Sequence, residues 1–429
     1  MDKLNVLLLG GGGREHALAW KIAQSELLNK LYIAPGNGGT WQHGINLNFS
    51  ETDFPAIKDA ILTHDVKLLV IGPEGPLVKG IREYIACDSA TEHVRIIGPG
   101  RDGAKLEGSK SFSKEFMKRH KIPTARYRHF ASDQLAEAKE FLSEFKPPFV
   151  LKADGLAAGK GVLIIDDIKE ARLALEDILK GGKFGAAGST VVIEEFLSGI
   201  ELSVFLLTDG KSYITLPAAK DYKRIGEGDT GLNTGGMGSI SPVKFADEAF
   251  MKKVDELISK PTILGLQKDK IDYTGFVFIG LMNLNGEPQV IEYNCRMGDP
   301  ETESVMPRIT SDFLEMLWNC GGRELGKSAL KVDPRTVASV MVVSGGYPEE
   351  YEKGKYISGL ENVNESIIFQ SGTKITDGLL YTNGGRVLTV TSYGDSLDQA
   401  LEKSYCQLNH IFFEKINYRK DIGFDLIEN

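Results

Sequence analysis

Glu292 and Asn294 stand two apart in the run Glu292-Tyr293-Asn294-Cys295-Arg296. On a β-strand that spacing puts both side chains on one face. Two oxygen ligands on one face suit Mg²⁺, a hard cation that keeps waters and bridges phosphates. A polar sheet surface would use the same spacing, but Arg296, Asp299 and Glu301 follow at once. A second candidate is the glycine loop from Lys152 to Gly161, with Gly155, Gly159 and Lys160 inside it. Glycines let backbone approach a nucleotide, and lysines neutralise phosphate charge. It is not a Walker A loop, because three residues separate Gly155 from Gly159 and Gly161 stands where Ser or Thr is required. A flap over phosphates fits it better, and a plain hairpin is the competing reading.

A third candidate is Gly10-Gly11-Gly12-Gly13-Arg14-Glu15-His16. It joins a strand pattern to a helix pattern, where backbone N–H groups and the helix dipole favour a phosphate. The dinucleotide fingerprint G-x-G-x-x-G/A fails in both registers, since the sixth residue is Glu15 or His16. A phosphate on a substrate suits the loop better than a nicotinamide cofactor, and a tight βα turn remains the alternative. The fourth candidate runs from Lys220 through Asp221, Lys223 and Arg224 to Asn233 and Gly238. Long glycine-rich connections in compact domains are usually functional.

Three regions must position these groups. Residues 1–103 alternate buried-strand runs (Val6 to Leu9, Leu31 to Ile33, Leu68 to Ile71, Val94 to Ile97) with helical spacing. That pattern predicts a parallel sheet covered by helices, an α/β domain whose Gly and Pro-Gly turns sit at the carboxyl edge. Residues 104–325 read as α+β with antiparallel strands, including a hairpin at Asn285-Gly286. A small glycine-looped subdomain is inserted at about 122–192. Residues 326–429 read as a C-terminal mixed domain.

Composition bounds the function. The chain has 429 residues, 25% of them charged, and a net charge of −9. Nucleic-acid binding needs a basic face, so no nucleic-acid partner is expected. Four scattered cysteines without a CxxC pair argue against zinc ligation and fit a reducing cytoplasm. No apolar run approaches a membrane span or a signal peptide.

Taken in order, these stretches resemble the ATP-grasp superfamily and, within it, the phosphoribosylamine–glycine ligase family. The resemblance covers nearly the whole chain. It includes Gly10 to His16, Ala34-Pro35-Gly36-Asn37, Gly72-Pro73-Glu74, Leu106 to Lys110, Lys152 to Gly161, Glu194 to Leu197, Asn233 to Gly238 and Asn294 to Glu301. It ends with Gly345 to Pro348, Gly384 to Val387 and Tyr418 to Gly423. Gly75 and Met297 are two conservative departures.

The resemblance implies a central ATP-grasp domain with an inserted flap. The implied enzyme joins glycine to 5-phosphoribosylamine at the expense of ATP, through a glycyl phosphate, in purine biosynthesis. Mg²⁺ or Mn²⁺ would sit on Glu292 and Asn294. Lys110, Lys152, Gly159 and Lys160 would face the phosphates. Glu194, Glu195, Phe196 and Leu197 would line the adenine, and Glu201 would take the ribose hydroxyls. Lys223, Arg224 and Asn233 would contact ATP or substrate. Gly11, Gly12, Gly13, Asn37, Pro73 and Glu74 would border 5-phosphoribosylamine. Arg296 would orient an anionic group, and Asp221, Asp299 and Glu301 would catch the glycine ammonium or order the loop. His16 reads as structural. A cytoplasmic monomer is expected. The alternatives are another ATP-grasp carboxylate–amine ligase or carboxylase, and a nucleotide-binding protein without catalysis.

Overall fold

Apolar runs that stop at glycine or proline build the first sheet. In the computed structural model, which describes residues 3–155, 161–180 and 188–426, five strands pair in the order β3-β2-β1-β4-β5. They are β1 (Leu4–Gly10), β2 (Leu28–Pro35), β3 (Ile45–Asn46), β4 (Leu68–Ile71) and β5 (Arg95–Ile97). Every pairing is parallel. Leu7, Leu8, Leu9, Leu69 and Val70 have no exposed surface, as strands covered on both faces require. The covering helices are α1 (Gly13–Ile22), α2 (Phe54–Thr63), α3 (Glu74–Lys79) and α4 (Ile81–Ala86). The chain winds away from β1 first toward β2 and later toward β4. The crevice at the carboxyl ends of β1 and β4 is therefore the switch point where open α/β sheets take ligands. Gly10 to Gly13 and Gly72 to Glu74 lie at that edge.

Helices α5 (Arg101–Gly108) and α6 (Lys110–Arg119) lead into an antiparallel sheet of order β6-β9-β7-β8. It comprises β6 (Tyr127–Ala131), β7 (Phe149–Ala153), β8 (Val162–Ile165) and β9 (Thr190–Glu194), with α7 (Leu135–Leu142) and α8 (Ile168–Leu179). Phe130, Phe141, Leu151, Leu175 and Ile193 form a core of their own there. Asp167 caps α8 by accepting from the Lys169 and Glu170 amides, a standard N-terminal solution.

A long sheet of order β11-β10-β16-β17 follows. After β10 (Ile200–Thr208) and β11 (Tyr213–Thr215), the chain makes four short strands. These are β12 (Lys220–Asp221), β13 (Arg224–Gly226), β14 (Thr230–Asn233) and β15 (Gly238–Ser241). Helices α9 (Glu248–Val254) and α10 (Lys260–Lys268) precede β16 (Gly275–Leu284) and β17 (Glu287–Asn294). Asn285 and Gly286 turn that hairpin with φ of 53° and 89°, the left-handed pair that a two-residue turn demands. The β16–β17 register slips so that Leu281 faces Val290 and Gly280 faces Glu292. Ile291 is the extra residue of a bulge, a device that re-aims neighbouring side chains.

Helices α11 (Glu301–Val305) and α12 (Phe313–Gly321) connect to the last region. Its strands are β18 (Thr336–Ser344), β19 (Ile367–Gln370), β20 (Thr373–Thr376), β21 (Leu379–Thr382), β22 (Arg386–Gly394) and β23 (Ile416–Asn417), with α13 (Leu397–Leu408) before β23. The sheet runs β12-β15-β18-β22-β19, and β23 pairs with β18. Two of its strands thus come from residues 220–241. No helix among the described residues is long and apolar enough to cross a membrane.

Candidate active site

A row of ammonium groups meets the acidic end of β17. Ser109 caps α6 by accepting from the Phe112 amide at 3.2 Å, which fixes Lys110 in the first turn. Lys114 lies four residues on, so both lysines share a helix face. Lys110 Nζ donates to the Gly155 carbonyl at 3.0 Å. Lys114 Nζ lies 3.0 Å from Glu194 Oε2, and Lys152 Nζ reaches the same oxygen at 2.9 Å. Burial works against the Glu194 charge, but Lys152 and Lys114 outweigh it and hold the carboxyl below its usual range. Burial pulls the Lys114 ammonium down to about 8, against the attraction of Glu194 and with the repulsion of Lys152.

Glu292 and Asn294 line one cavity with these three lysines. A Cβ on Gly280, across the strand pair, would lie 3.3 Å from Glu292 Cγ, so glycine gives that side chain room. Burial opposes its charge, yet Lys223, Lys152, Lys110 and Arg296 together keep the Glu292 carboxyl below its usual range. Asn294 Oδ1 accepts from Arg296 Nη2 at 3.2 Å, while its buried Nδ2 has no hydrogen-bond partner. Among the described residues no three His, Cys, Asp or Glu side chains converge as a metal cage. The protein's own oxygen donors here are the Glu292 carboxylate and Asn294 Oδ1, whose second lone pair stays available beside the Arg296 bond. That set fits a hard divalent cation shared with phosphate oxygens.

Arg296 ties this face to the first sheet. Its guanidinium lies 2.8 Å from Glu107 Oε1 and 3.3 Å from Glu74 Oε2. Glu107 Oε2 in turn accepts from the Cys295 amide at 2.9 Å. Burial raises the Glu107 carboxyl although Arg296 resists. For Glu74, burial is outweighed by Arg296 and Arg14, and its carboxyl is lowered.

Beyond Asn294 the chain enters an acidic well. Glu301 is buried and accepts from Ser203 Oγ at 2.9 Å. Burial and then the Asp221 charge push its carboxyl up to about 7. Burial raises Asp221 as well, against Lys223 and with Glu201. Lys223 Nζ lies 2.5 Å from Glu201 and 4.0 Å from Asp221. Despite burial, those two carboxylates raise the Lys223 ammonium strongly. Asp299 Oδ1 sits 3.0 Å from Arg386 Nη1, and Asp299 Oδ2 accepts from the Arg14 amide at 3.4 Å. A Cβ on Gly12 would lie 3.2 Å from Asp299 Oδ2. One on Gly13 would lie 2.3 Å from Glu303 Oε1 and 2.5 Å from Ser371 Oγ. The glycine loop is therefore packed against the well by direct contact.

The comparisons with known proteins follow the same layout. Residues 4–107 match the phosphoribosylglycinamide synthetase N domain, 108–302 its ATP-grasp (A) domain and 337–425 its C domain. The phosphoribosylamine–glycine ligase of Haemophilus influenzae is 43% identical over 431 residues, covering 99% of each chain. The chain belongs to the phosphoribosylamine–glycine ligase family. A bifunctional purine biosynthetic protein of Pichia angusta is also 43% identical, and the chain spans 54% of its length. The crystal structure of the ligase from Thermotoga maritima superposes with a TM-score of 0.85 at 36% identity, covering 97% of this chain and 100% of that one. A Campylobacter jejuni biotin carboxylase, at 16% identity and a TM-score of 0.72, covers 99% of this chain and 95% of its own and shares the fold alone.

Within this member of the phosphoribosylamine–glycine ligase family, two groups of the expected site residues come together. Lys110, Lys152, Glu194, Glu292, Asn294, Arg296 and Glu74 border one cavity. Asp221, Glu201, Lys223, Glu301 and Asp299 form the adjoining well. Pro73 is the residue before α3. Glu195 and Phe196 are exposed and Leu197 is half-buried, in the stretch between β9 and β10. Arg224 and Asn233 face each other across the β13–β14 pair. Asn37 Nδ2 donates to the Gly11 carbonyl at 3.0 Å and to the Gln370 carbonyl at 2.6 Å, so its side chain fastens the glycine loop to β19. His16 Nδ1 accepts from the Gln370 amide at 2.7 Å, and burial keeps the ring neutral with its pKa lowered to about 3. Gly159 and Lys160 lie outside the described residues. Sequence reading missed Lys114, Glu107, Arg14 and Glu303. The i, i+4 spacing of Lys110 and Lys114 was one signal, and Glu107 and Arg14 lie within the stretches that carry the family resemblance.

Proposed function

We propose that this chain ligates glycine to 5-phosphoribosylamine with ATP, giving glycinamide ribonucleotide, ADP and phosphate. The observation that carries the reading is one cavity lined by Glu292, Asn294, Lys110, Lys152 and Arg296, in a chain 43% identical to a phosphoribosylamine–glycine ligase over 431 residues. A glycine carboxylate oxygen attacks the γ-phosphorus, and the bond to the β–γ bridging oxygen breaks to release ADP. The amine nitrogen of 5-phosphoribosylamine then attacks the carbonyl carbon of glycyl phosphate. Phosphate leaves and the nitrogen gives up a proton. The first step brings two anions together, so Lys110 and Lys152 serve it by neutralising charge that builds on the phosphates. Glu292 and Asn294 would hold Mg²⁺ or Mn²⁺, whose charge would shield the triphosphate there.

The remaining roles follow from position and charge. The Asp221–Glu301 well, with Asp299 beside it, suits the glycine ammonium, because a cation offsets the burial, and after it the neighbouring carboxylate charge, that raises both carboxyls. Gly11, Gly12, Gly13, Asn37, Pro73 and Glu74 border 5-phosphoribosylamine at the switch point. Glu194 to Leu197 and Glu201 take the nucleoside, and Lys223, Arg224 and Asn233 approach from the facing hairpin. Gly159 and Lys160 are assigned to the ATP phosphates on the family resemblance of their stretch alone. The protein works as a cytoplasmic monomer on small molecules. The test is ADP release from purified protein given ATP, Mg²⁺, glycine and 5-phosphoribosylamine. Release that needs both acceptor substrates is expected. Release with other amino acids and without 5-phosphoribosylamine would assign another ATP-grasp ligation.

A further inference from the structure

The stretch Tyr418 to Gly423 touches neither the cavity nor the acidic well, yet it holds one of the most buried cations in the molecule. Arg419 is 1% exposed although it lies in a loop after the last strand. Its guanidinium makes a two-pronged contact with Asp421, Nε to Oδ1 and Nη2 to Oδ2, both at 2.8 Å. Nη1 donates to Asp229 Oδ1 at 2.6 Å and to the Arg224 carbonyl at 3.2 Å. Asp421 Oδ2 also accepts from the Gly228 amide at 2.7 Å. Behind it, the Tyr405 hydroxyl on α13 donates to the Arg419 carbonyl and accepts from the Ile422 amide. A fork of charge-assisted hydrogen bonds thus runs from a helix of the last region to the tip of the β13–β14 hairpin.

Elsewhere the hairpin is held by Ile225, half-buried against the core of the last region, and by Thr234 bonding to the Lys223 carbonyl at its base. Its two strands pair at Arg224 with Asn233 and at Gly226 with Thr230, with an irregular register between. All of β14 is exposed. A lone two-stranded ribbon is marginal in water. Yet it carries Arg224 and Asn233, and Lys223 stands at its base. We propose that Arg419 and Asp421 are positioning residues that latch the β13–β14 hairpin, so that Lys223, Arg224 and Asn233 are held over the nucleotide. The latch rests on the nucleotide reading of those three residues given above.

The test uses the full-length enzyme. Asp229 is partly exposed and touches no core, so Asp229→Asn removes a charged acceptor without threatening the fold. In Asp229→Asn, amide hydrogen exchange across residues 226–233 is expected to quicken about tenfold, and KM for ATP to rise about as much, the scale of one charge-assisted hydrogen bond. The kcat is expected to stay near wild type. Asp229→Glu, which keeps the charge, should restore both readouts, and Arg419→Lys should act in the same direction as Asp229→Asn. Unchanged exchange in Asp229→Asn overturns the latch. Faster exchange with an unchanged KM for ATP overturns its positioning role. Arg224→Ala is the separate control: if it leaves the KM for ATP unchanged, the nucleotide reading of the hairpin fails, whatever the exchange data say about the latch.

Discussion

Glu292 is the side chain on which most of the local field converges, with four cations acting on one carboxylate. Replacing it with Ala leaves Lys223, Lys152 and Lys110 without that counter-charge and removes one of two oxygen donors. Glu292→Ala is expected to cost about 3 kcal/mol of barrier, roughly a hundredfold in kcat, read by coupled ADP release. Glu301 makes a different prediction because its folded pKa is raised, to about 7. The folded chain therefore keeps a proton that the unfolded chain has lost between the ordinary carboxylate range and about 7. Its contribution to stability falls as pH rises through that window and is level above it. Glu301→Gln cannot ionise, so its melting temperature should gain on wild type from pH 5 to 7 and then hold a constant offset. A difference that does not change with pH would refute the assignment. Glu292 and Asn294 were legible in the sequence because a spacing of two has one meaning on a strand. Glu303 was not, because a lone carboxylate on a helix has no pattern that separates a buried partner from a solvated face.

The β16–β17 hairpin is the element that aims those donors. The bulge at Ile291 sets Glu292 opposite Gly280, and the missing side chain leaves its path clear. Gly280→Val would crowd Glu292 Cγ from a position where Cβ alone already reaches 3.3 Å. Turnover should drop between about tenfold and a hundredfold, the scale of a small misplacement of a reacting group. The far-UV circular dichroism should not change. An unaltered kcat would mean that the position of Glu292 is not critical. The hairpin itself was plain in the sequence, since Asn285-Gly286 between apolar runs permits little else. The bulge was not, because one extra residue in a strand is decided by its partner across the sheet. Short polar strands such as β3, β12 and β15 were equally hidden. They have no alternating pattern and exist through neighbours far along the chain, as Ser239 does opposite Ser339.

At the scale of the whole molecule, Arg386 ties the last region to two separate stretches of the central one. Its Nη1 donates to the Gly235 and Asp299 carbonyls, each at 2.7 Å, and lies 3.0 Å from the Asp299 carboxylate. Arg386→Ala would strand a largely buried carboxylate beside Glu303, and removing one partner of such a pair costs about 3 kcal/mol or more. A lower melting temperature and a raised KM for glycine are expected together, by thermal melts and steady-state assays. A normal KM with the lower melting temperature would leave Arg386 a purely structural tie. The three regions were readable from apolar spacing and turn residues. Their interlocking was not, because nothing in residues 220–241 announces a pairing with residues 336–344.

That interlocking sets a rule for exchanging parts between relatives. The ladder from β12 and β15 onto β18 runs across what looks, along the chain, like a seam near residue 330. A chimera spliced at that seam would ask one protein's edge strands to match another protein's sheet. Transplants that carry residues 220–241 together with everything after 336 keep the ladder whole. They should yield foldable hybrids where a simple tail swap gives inclusion bodies.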